Sequence, residues 1–424
     1  MQLTTVSSYY IFNYIYQIEI LRLNNVCYTY FFWYLFLKKQ YYKNLEEFLN
    51  SSLQFHQVLD ISLSNNQIGD ESALGLGSAL ANCINLSNLT FNLSDNQIGA
   101  VGVSGLVSAL ASCTNLQNLT LNLSKNQIED EGVSGLSSAL VNCTNLSNLK
   151  LILNYNKIGV IGTQSLGAAL ANCNLSILRI DLDYNQIGDK GLSHLVSAFA
   201  NCTNLSNLTL NLSRNYISTI SASCFGSALV NCTNLSNLTL NLNDNQIGAI
   251  DALGLGSSLT NCTILSNLTL KLFFNQICDD GASGLGYALA NCTNLSNLII
   301  DLRENQIGDK GVLSLGSHLA NCTNLTNLNL NLNSNQIGDE GVLGLGIFLS
   351  NCTKLSNLTL KFLWNQIDAI GALGLGSALA NCTNLSNLTL FLYQKQINKS
   401  QQLKVESKCL KSKRLVTFKI NFSL

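Results

Sequence analysis

Proline is absent from all 424 residues, where average usage of roughly 5% would supply about twenty. No proline-rich spacer breaks the chain, and no linker marks off a second domain. Charge is sparse too: Asp, Glu, Lys and Arg make up 11% of residues against 47% hydrophobic ones. So apolar a chain excludes disorder and leaves solubility to Asn, Ser, Thr and Gln. With three histidines and no Cys-x-x-Cys pair, a zinc site is not expected.

Targeting signals are missing as well. Residues 1–16 hold no Lys or Arg and no small-residue cleavage site, which argues against a signal peptide. The apolar run at 26–37 is short of the roughly 18 to 20 residues that span a bilayer. The aromatic-rich segment 1–52 follows no repeat, and is read as an N-terminal cap over the first exposed core edge. At the other end, residues 395–424 hold eight basic side chains against Glu406 alone. Without Arg clusters or interleaved aromatics across the body, this stretch is read as a solvated basic C-terminal cap rather than a nucleic-acid or membrane site.

What the chain does have is a period. Asn-Gln-Ile or a close variant places its Asn at 66, 96, 126, 156, 185, 215, 245, 275, 305, 335 and 365, a spacing of 30 broken once by 29. A further copy at 395–397 has lost the Asn. Eleven of the fifteen cysteines follow the same period, from Cys83 to Cys382. Recurrence at one place in each unit makes them small buried fillers rather than disulfide partners. Free thiols imply a reducing compartment, and a cytoplasmic location is expected. The repeated Asn-Cys-Thr, Asn-Leu-Ser and Asn-Leu-Thr triplets are formal glycosylation sequons. Many of their asparagines are expected in or beside a packed sheet, where a glycan has no room.

Each unit has two halves. Leu89, Phe91 and Leu93 alternate with Thr90, Asn92 and Ser94, the two-residue period of a strand with one buried face. Asn96 then turns the chain, with an amide able to bond the backbone of its own and the neighbouring unit. Val103, Leu106, Leu110 and Cys113 recur at helical spacing, a stripe that packs a helix onto the back of the strands. Gly99 and Gly102 punctuate the start of that helix. Gly75, Gly77 and Gly105 lie within helices at a cost of about 1 kcal/mol each relative to Ala, offset by closer approach of neighbouring helices. About twelve such units over residues 53–394 predict an α/β solenoid, a horseshoe with a parallel inner sheet and outer helices.

The string Asn-x-Ile-Gly-Asp-x-Gly-x-x-x-Leu-Gly-x-x-Leu-x-x-Cys, legible at 305–322 and 335–352, resembles the ribonuclease-inhibitor-like class of leucine-rich repeats. Related units occur in the activating protein of the Ran GTPase and in NOD-like receptors. Most units here are two residues longer than that class, with a third inward strand position that implies a longer strand. The resemblance implies a protein-binding scaffold; an activator of a small GTPase, or the repeat region of a larger signalling protein, are the alternatives.

The informative positions are those on the inner face that escape the monotony of Thr, Asn and Ser. Tyr155, Tyr184, Arg179 and Arg214 form one candidate partner-binding patch, and Phe273, Phe274, Arg303 and Trp364 a second, because aromatic and Arg side chains are the usual interface anchors. No catalytic residue, cofactor or metal is expected. His56, His194 and His318 stand too far apart in a solenoid to converge on a substrate. The expected partner is a protein, and the chain itself a monomer.

Overall fold

A computed structural model describes residues 40–42, 56–218, 224–229, 231–259, 262, 264–392, 397–412 and 414–422. Their strands form one sheet of 14, ordered as in the sequence and parallel throughout. Each strand from Val58–Ser62 onward is five residues long and pairs in register with the equivalent residues of the next unit, as Leu89 with Leu119 and Phe91 with Leu121. Helices return the chain behind the sheet, and each packs against the helices before and after it. The α/β horseshoe expected from the period is the observed fold: an inner parallel sheet, outer helices, and a core of Leu, Ile and Cys between them.

The longer strand also has a counterpart. Backbone pairing continues past the fifth residue, with Leu93 N–H donating to Asn122 O at 2.8 Å and Asp95 N–H to Ser124 O at 2.9 Å. Leu93, the third inward position, is fully buried.

Backbone polarity at the turn is closed by the repeated asparagine. Asn96 Oδ1 accepts from the N–H groups of Asn66 and Ile68 in the preceding unit at 3.0 and 2.9 Å. Its Nδ2 donates to Leu63 O of that unit and Leu93 O of its own, both at 2.9 Å. One side chain thus satisfies backbone groups that stacking removes from water. The same pattern recurs at Asn126, Asn156, Asn185, Asn245 and beyond.

A second link is not apparent from the repeat itself. Asp70, in the first turn of the helix Asp70–Leu80, accepts from Gly99 N–H at 2.7 Å and Gly102 N–H at 3.0 Å. The aspartate of one unit therefore caps the helix of the next, placing negative charge at its N-terminus. Asp279 and Asp309 do the same for Gly308 and Gly338. This explains the glycine of the first turn: a Cβ on Gly102 would lie 2.8 Å from Asp70 Cα. Close approach holds at Gly77, where a Cβ would lie 2.9 Å from Leu106 Cα, but not at Gly75, which faces open space.

The helical stripe needs one correction. Val103, Leu106, Leu110 and Cys113 are all buried, but the α-helix ends at Ser108, a 3₁₀ turn covers Ala109–Ser112, and Cys113 lies beyond it. The sequon expectation is corrected in part. In the unit at 142–150 the sequon residues Asn142 and Asn145 are exposed, whereas the asparagine of an Asn-Leu-Thr triplet, such as Asn118 or Asn207, is half-buried, so packing does not shield the first two positions. They lie in the loop before the strand, which the alternating pattern does not cover.

Of the N-terminal segment, Gln40–Tyr42 pairs as a strand with Leu59–Ile61; the rest of 1–52 and the degenerate copy at 395–396 lie outside the described residues. The basic segment continues the alternation with a helix, Lys399–Cys409, and a last strand, Thr417–Asn421. The helix is capped by a reciprocal pair, Asn398 and Gln401.

Three outcomes follow from these contacts. Asn96→Ala strands the buried N–H of Ile68 and the part-buried one of Asn66 and should lower stability by about 1–3 kcal/mol, with hydrogen exchange accelerated first at Asn66 and Ile68; a change below about 0.5 kcal/mol in urea melts contradicts the ladder's role. Burial pushes the Cys113 thiol up to about 11 and, with neighbouring thiols adding to it, those of Cys143 and Cys292 to about 12. In mass-resolved alkylation at pH 8 the repeated cysteines should stay unmodified while the half-buried Cys278 reacts. Asp251 is buried at a position where neighbouring units carry Gly281 and Gly311, and its Oδ1 has no partner among the described residues. Burial raises its carboxyl pKa, against the pull of the Gly248 N–H. The folded state then binds the proton more tightly, so stability is lowest above the folded pKa and recovers as pH falls through it. Asp251→Asn should stabilise the protein at pH 7, with an advantage that shrinks on acidification; an advantage independent of pH overturns this.

Candidate functional site

The residue before each ladder asparagine is the most variable in the repeat, and the backbone accounts for that freedom. Asp95, Lys125, Tyr155, Tyr184, Arg214, Asp244, Phe274, Glu304, Ser334 and Trp364 all have φ between 51 and 59°. This left-handed conformation costs a non-glycine residue about 1–2 kcal/mol, and it swings the following Asn into the ladder. It is held by pairing to the next unit: Tyr155 N–H to Asp183 O at 3.0 Å, Tyr184 to Ser213 O at 3.0 Å, Arg214 to Asn243 O at 3.1 Å, Phe274 to Arg303 O at 3.1 Å. The backbone is fixed from both sides while the side chain projects outward, so identity at this position changes the surface and not the fold.

Five consecutive units turn these side chains into a hollow of about 660 Å³. One wall is the row before the ladder, Tyr155, Tyr184, Arg214, Asp244 and Phe274. The other is the row after it, Lys157, Gln186, Tyr216, Gln246 and Gln276, with Asn185 and Asn245 between. The hollow follows the C-terminal rim of the inner sheet. Tyr155 and Tyr184 stack with ring centroids 4.4 Å apart and 17° between planes. Tyr216 is 69% exposed.

The charges in and around the hollow are paired. Arg214 Nε donates to Asp244 Oδ2 at 2.8 Å, and its Nη1 lies 3.9 Å from Asp183 Oδ2. Lys157 Nζ is 3.7 Å from Glu129. The bond to Asp244 holds the Arg214 guanidinium all the more firmly protonated. Burial pushes the Asp183 carboxyl above the usual range, against the pull of Ser213 and Arg214. Arg214 is thus engaged by two carboxylates rather than projecting free.

Of the candidate residues, Tyr155, Tyr184, Arg214 and Phe274 meet here, so the first patch gains Phe274 from the second. Arg179 lies elsewhere, exposed at the centre of the strand Ile177–Asp181, in register with Lys150 and Thr209. Arg303 is occupied within the chain: its Nε is 3.2 Å from Asp301 and its guanidinium sits 4.2 Å over the Phe273 ring. Trp364, half-exposed, lies three units beyond Phe274, outside the hollow. Sequence reasoning missed Tyr216, Lys157 and the glutamines. The signal for Tyr216 was present in the sequence, since it replaces the Gln that follows most ladder asparagines.

Irregularity concentrates around this site. The 29-residue unit puts Ile177 where neighbouring strands begin with Asn. Elsewhere those asparagines form a second ladder on the inner face, as where Asn267 Nδ2 donates to Asn237 Oδ1 at 2.6 Å. Ile177 interrupts it, leaving Asn148 Oδ1 without a partner.

His194 and His318 lie on the helices Gly188–Ser197 and Asp309–Leu319, where His318 Nδ1 is 2.7 Å from Ser314 O. Among the described residues, no group of three or more His, Cys, Asp or Glu is placed to hold a metal ion, and no helix is long and apolar enough to cross a membrane.

A family profile described as "Leucine Rich repeat" matches residues 85–107, 115–137, 173–196, 296–316 and 321–346. Together with the strand, ladder asparagine and helix repeated through the described residues, this makes the chain a leucine-rich-repeat protein. The description specifies no subclass. No curated protein matches the chain. Similar solved structures include an internalin (inlF) from Listeria monocytogenes, 24% identical over 79% of this chain and 81% of its own, with a TM-score of 0.44. Internalin C2 of the same organism is 21% identical over 77% and 99%, with a TM-score of 0.34. The leiomodin-1 actin-binding site 2 is 16% identical over 32% and 73%, with a TM-score of 0.26.

Proposed function

We propose that this protein is a non-enzymatic scaffold that binds a protein partner along the C-terminal rim of its inner sheet. The observation that carries this reading is the hollow itself. Variable positions of five consecutive units converge there, with four aromatic rings in one concavity. Aromatic side chains bury much surface at low rotamer cost, and a concave, largely apolar surface with a few placed polar groups is where binding energy concentrates. A rigid backbone adds to it, because little ordering entropy is lost on association. The free thiols support a reducing, cytoplasmic setting. Charge pairing at Arg214 and Arg303 supports a role for these residues in shaping the surface rather than in reaching a nucleotide. The helix in each unit and the strings at 305–322 and 335–352 support the ribonuclease-inhibitor-like class.

The test is affinity capture from cell extract with the full chain, comparing wild type with Tyr155→Ala/Tyr184→Ala/Phe274→Ala. Proteins retained specifically by wild type should fall at least tenfold with the triple variant. An unchanged set of captured proteins rejects the hollow as the binding site.

A further inference from the structure

Resting on that reading, we propose that Lys150 and Arg179, side by side on the inner wall, receive an acidic side chain of the partner, an Asp or Glu carboxylate seated between the two cations.

The first ground is a pair of charges that the sheet leaves unbalanced. Lys150 lies at the centre of the strand Asn148–Ile152 and Arg179 at the centre of Ile177–Asp181. Register sets them opposite each other, with backbones about 4.8 Å apart. Among the paired strands no other two cations face each other: Lys271 faces Asp301, Lys361 lies between Asn331 and Phe391, and Lys419 faces Thr389. Like charges placed directly opposite destabilise a sheet, so this pair works against the strands that carry it. Nearby cations are neutralised within the chain, Lys157 by Glu129, Arg214 by Asp244 and Arg303 by Asp301. Neither Lys150 nor Arg179 makes an ion pair or a side-chain hydrogen bond among the described residues.

The charge count selects the occupant. Asp181 shares the inner face two residues past Arg179, where Asn211 Nδ2 donates to it at 2.9 Å. Two positive charges against one negative leave an excess equal to a single carboxylate. A phosphate group, at roughly −1.5 to −2, exceeds it. Asp183 lies at the rim against Arg214, a guanidinium also shared with Asp244. That end is net negative, so attraction for an acid is confined to the Lys150–Arg179 end of these units.

The surroundings suit an anion that a partner covers. Thr120 and Thr209 flank the pair in register, and their hydroxyls make no bond among the described residues. Four donor groups thus stand in one row across four strands. Ile152 and Ile177 share this face, two residues after Lys150 and two before Arg179, at positions filled by Asn122 and Asn211, and by Asn148 and Asn207, in nearby strands. A partner laid over these isoleucines excludes water from the cations, and a charge-assisted bond strengthens as water leaves. The planar guanidinium matches both oxygens of a carboxylate, and the ammonium meets either one. The same two units supply the Tyr155–Tyr184 stack, so one partner surface reaches both the acid site and the rings.

The experiment is a fluorescence-anisotropy titration of the full chain against labelled twelve-residue peptides. One is three Glu-Ser-Phe-Ser repeats; the others carry Gln or phosphoserine in place of each Glu. Saturable binding of the Glu peptide is expected, at least about fivefold tighter than the Gln peptide and no weaker than the phosphoserine one. Lys150→Gln/Arg179→Gln should abolish that preference, while Lys404→Gln/Lys408→Gln, on the basic helix Lys399–Cys409, leaves it unchanged. A carbodiimide, which joins an amine to a carboxylate in contact with it, should link the Glu peptide to Lys150 in mass maps. Because the two cations repel each other, urea melts of Arg179→Gln should show no loss of stability. Equal affinity for the Glu and Gln peptides, tighter binding of the phosphoserine peptide, a preference that survives Lys150→Gln/Arg179→Gln, no link at Lys150, or destabilisation by Arg179→Gln each overturns the proposal. If the preference is absent while Tyr155→Ala/Tyr184→Ala/Phe274→Ala still loses its captured proteins, the scaffold reading stands and the acid site falls. If captured proteins are unchanged as well, both fall.

Discussion

The described repeat units do not close their own backbone polarity. The turn after each strand leaves N–H and C=O groups that water would serve in an isolated peptide, and stacking takes that water away. The asparagine of the following unit replaces it, as Asn96 does for Asn66, Ile68 and Leu63. The helix start has the same dependence in the opposite sense, since Asp70 serves Gly99 and Gly102 of the unit after it. Polar closure therefore runs forward through one side chain and backward through another. Hydrophobic burial drives the stacking, but these bonds fix its register.

That division explains what the chain discloses before any coordinates. The ladder asparagines and the inward Leu triplets are legible because period and chemistry coincide: the same residue type recurs where the same unsatisfied groups recur. The interunit cap at Asp70 was not, because it joins a helix to glycines about one unit away that read as ordinary punctuation. Exposure of Asn142 and Asn145 was missed because the loop before the strand follows neither the two-residue nor the helical period. For the site, the variable position before the ladder pointed to Tyr155, Tyr184, Arg214 and Phe274. It could not show that Arg214 is spent on Asp244 and Asp183, or that Tyr216 completes the second wall, since side-chain pairing across units has no signature in one unit.

The site owes its form to the left-handed residue. A position whose backbone is clamped on both sides can accept Asp, Lys, Tyr, Phe or Trp with the same φ. Strain there is common to every unit, so it does not select among side chains. Ten outward-facing side chains in a row, each free of folding duties, let surface chemistry drift without penalty to the core.

The single 29-residue unit has a consequence of its own. Registered pairing means that each strand copies its predecessor's polar edge, and a run of identical asparagine amides zips from one strand to the next. Ile177 stops that zip and marks a seam: one amide track runs from Asn88 to Asn148 before it, and another from Asn237 to Asn387 after it. Duplicating a whole unit on either side of the seam would lengthen one track and leave the other intact. An array of this kind can change its reach on either flank, and the hollow, which spans the seam from Tyr155 to Gln276, keeps its dimensions when the added unit falls outside those five.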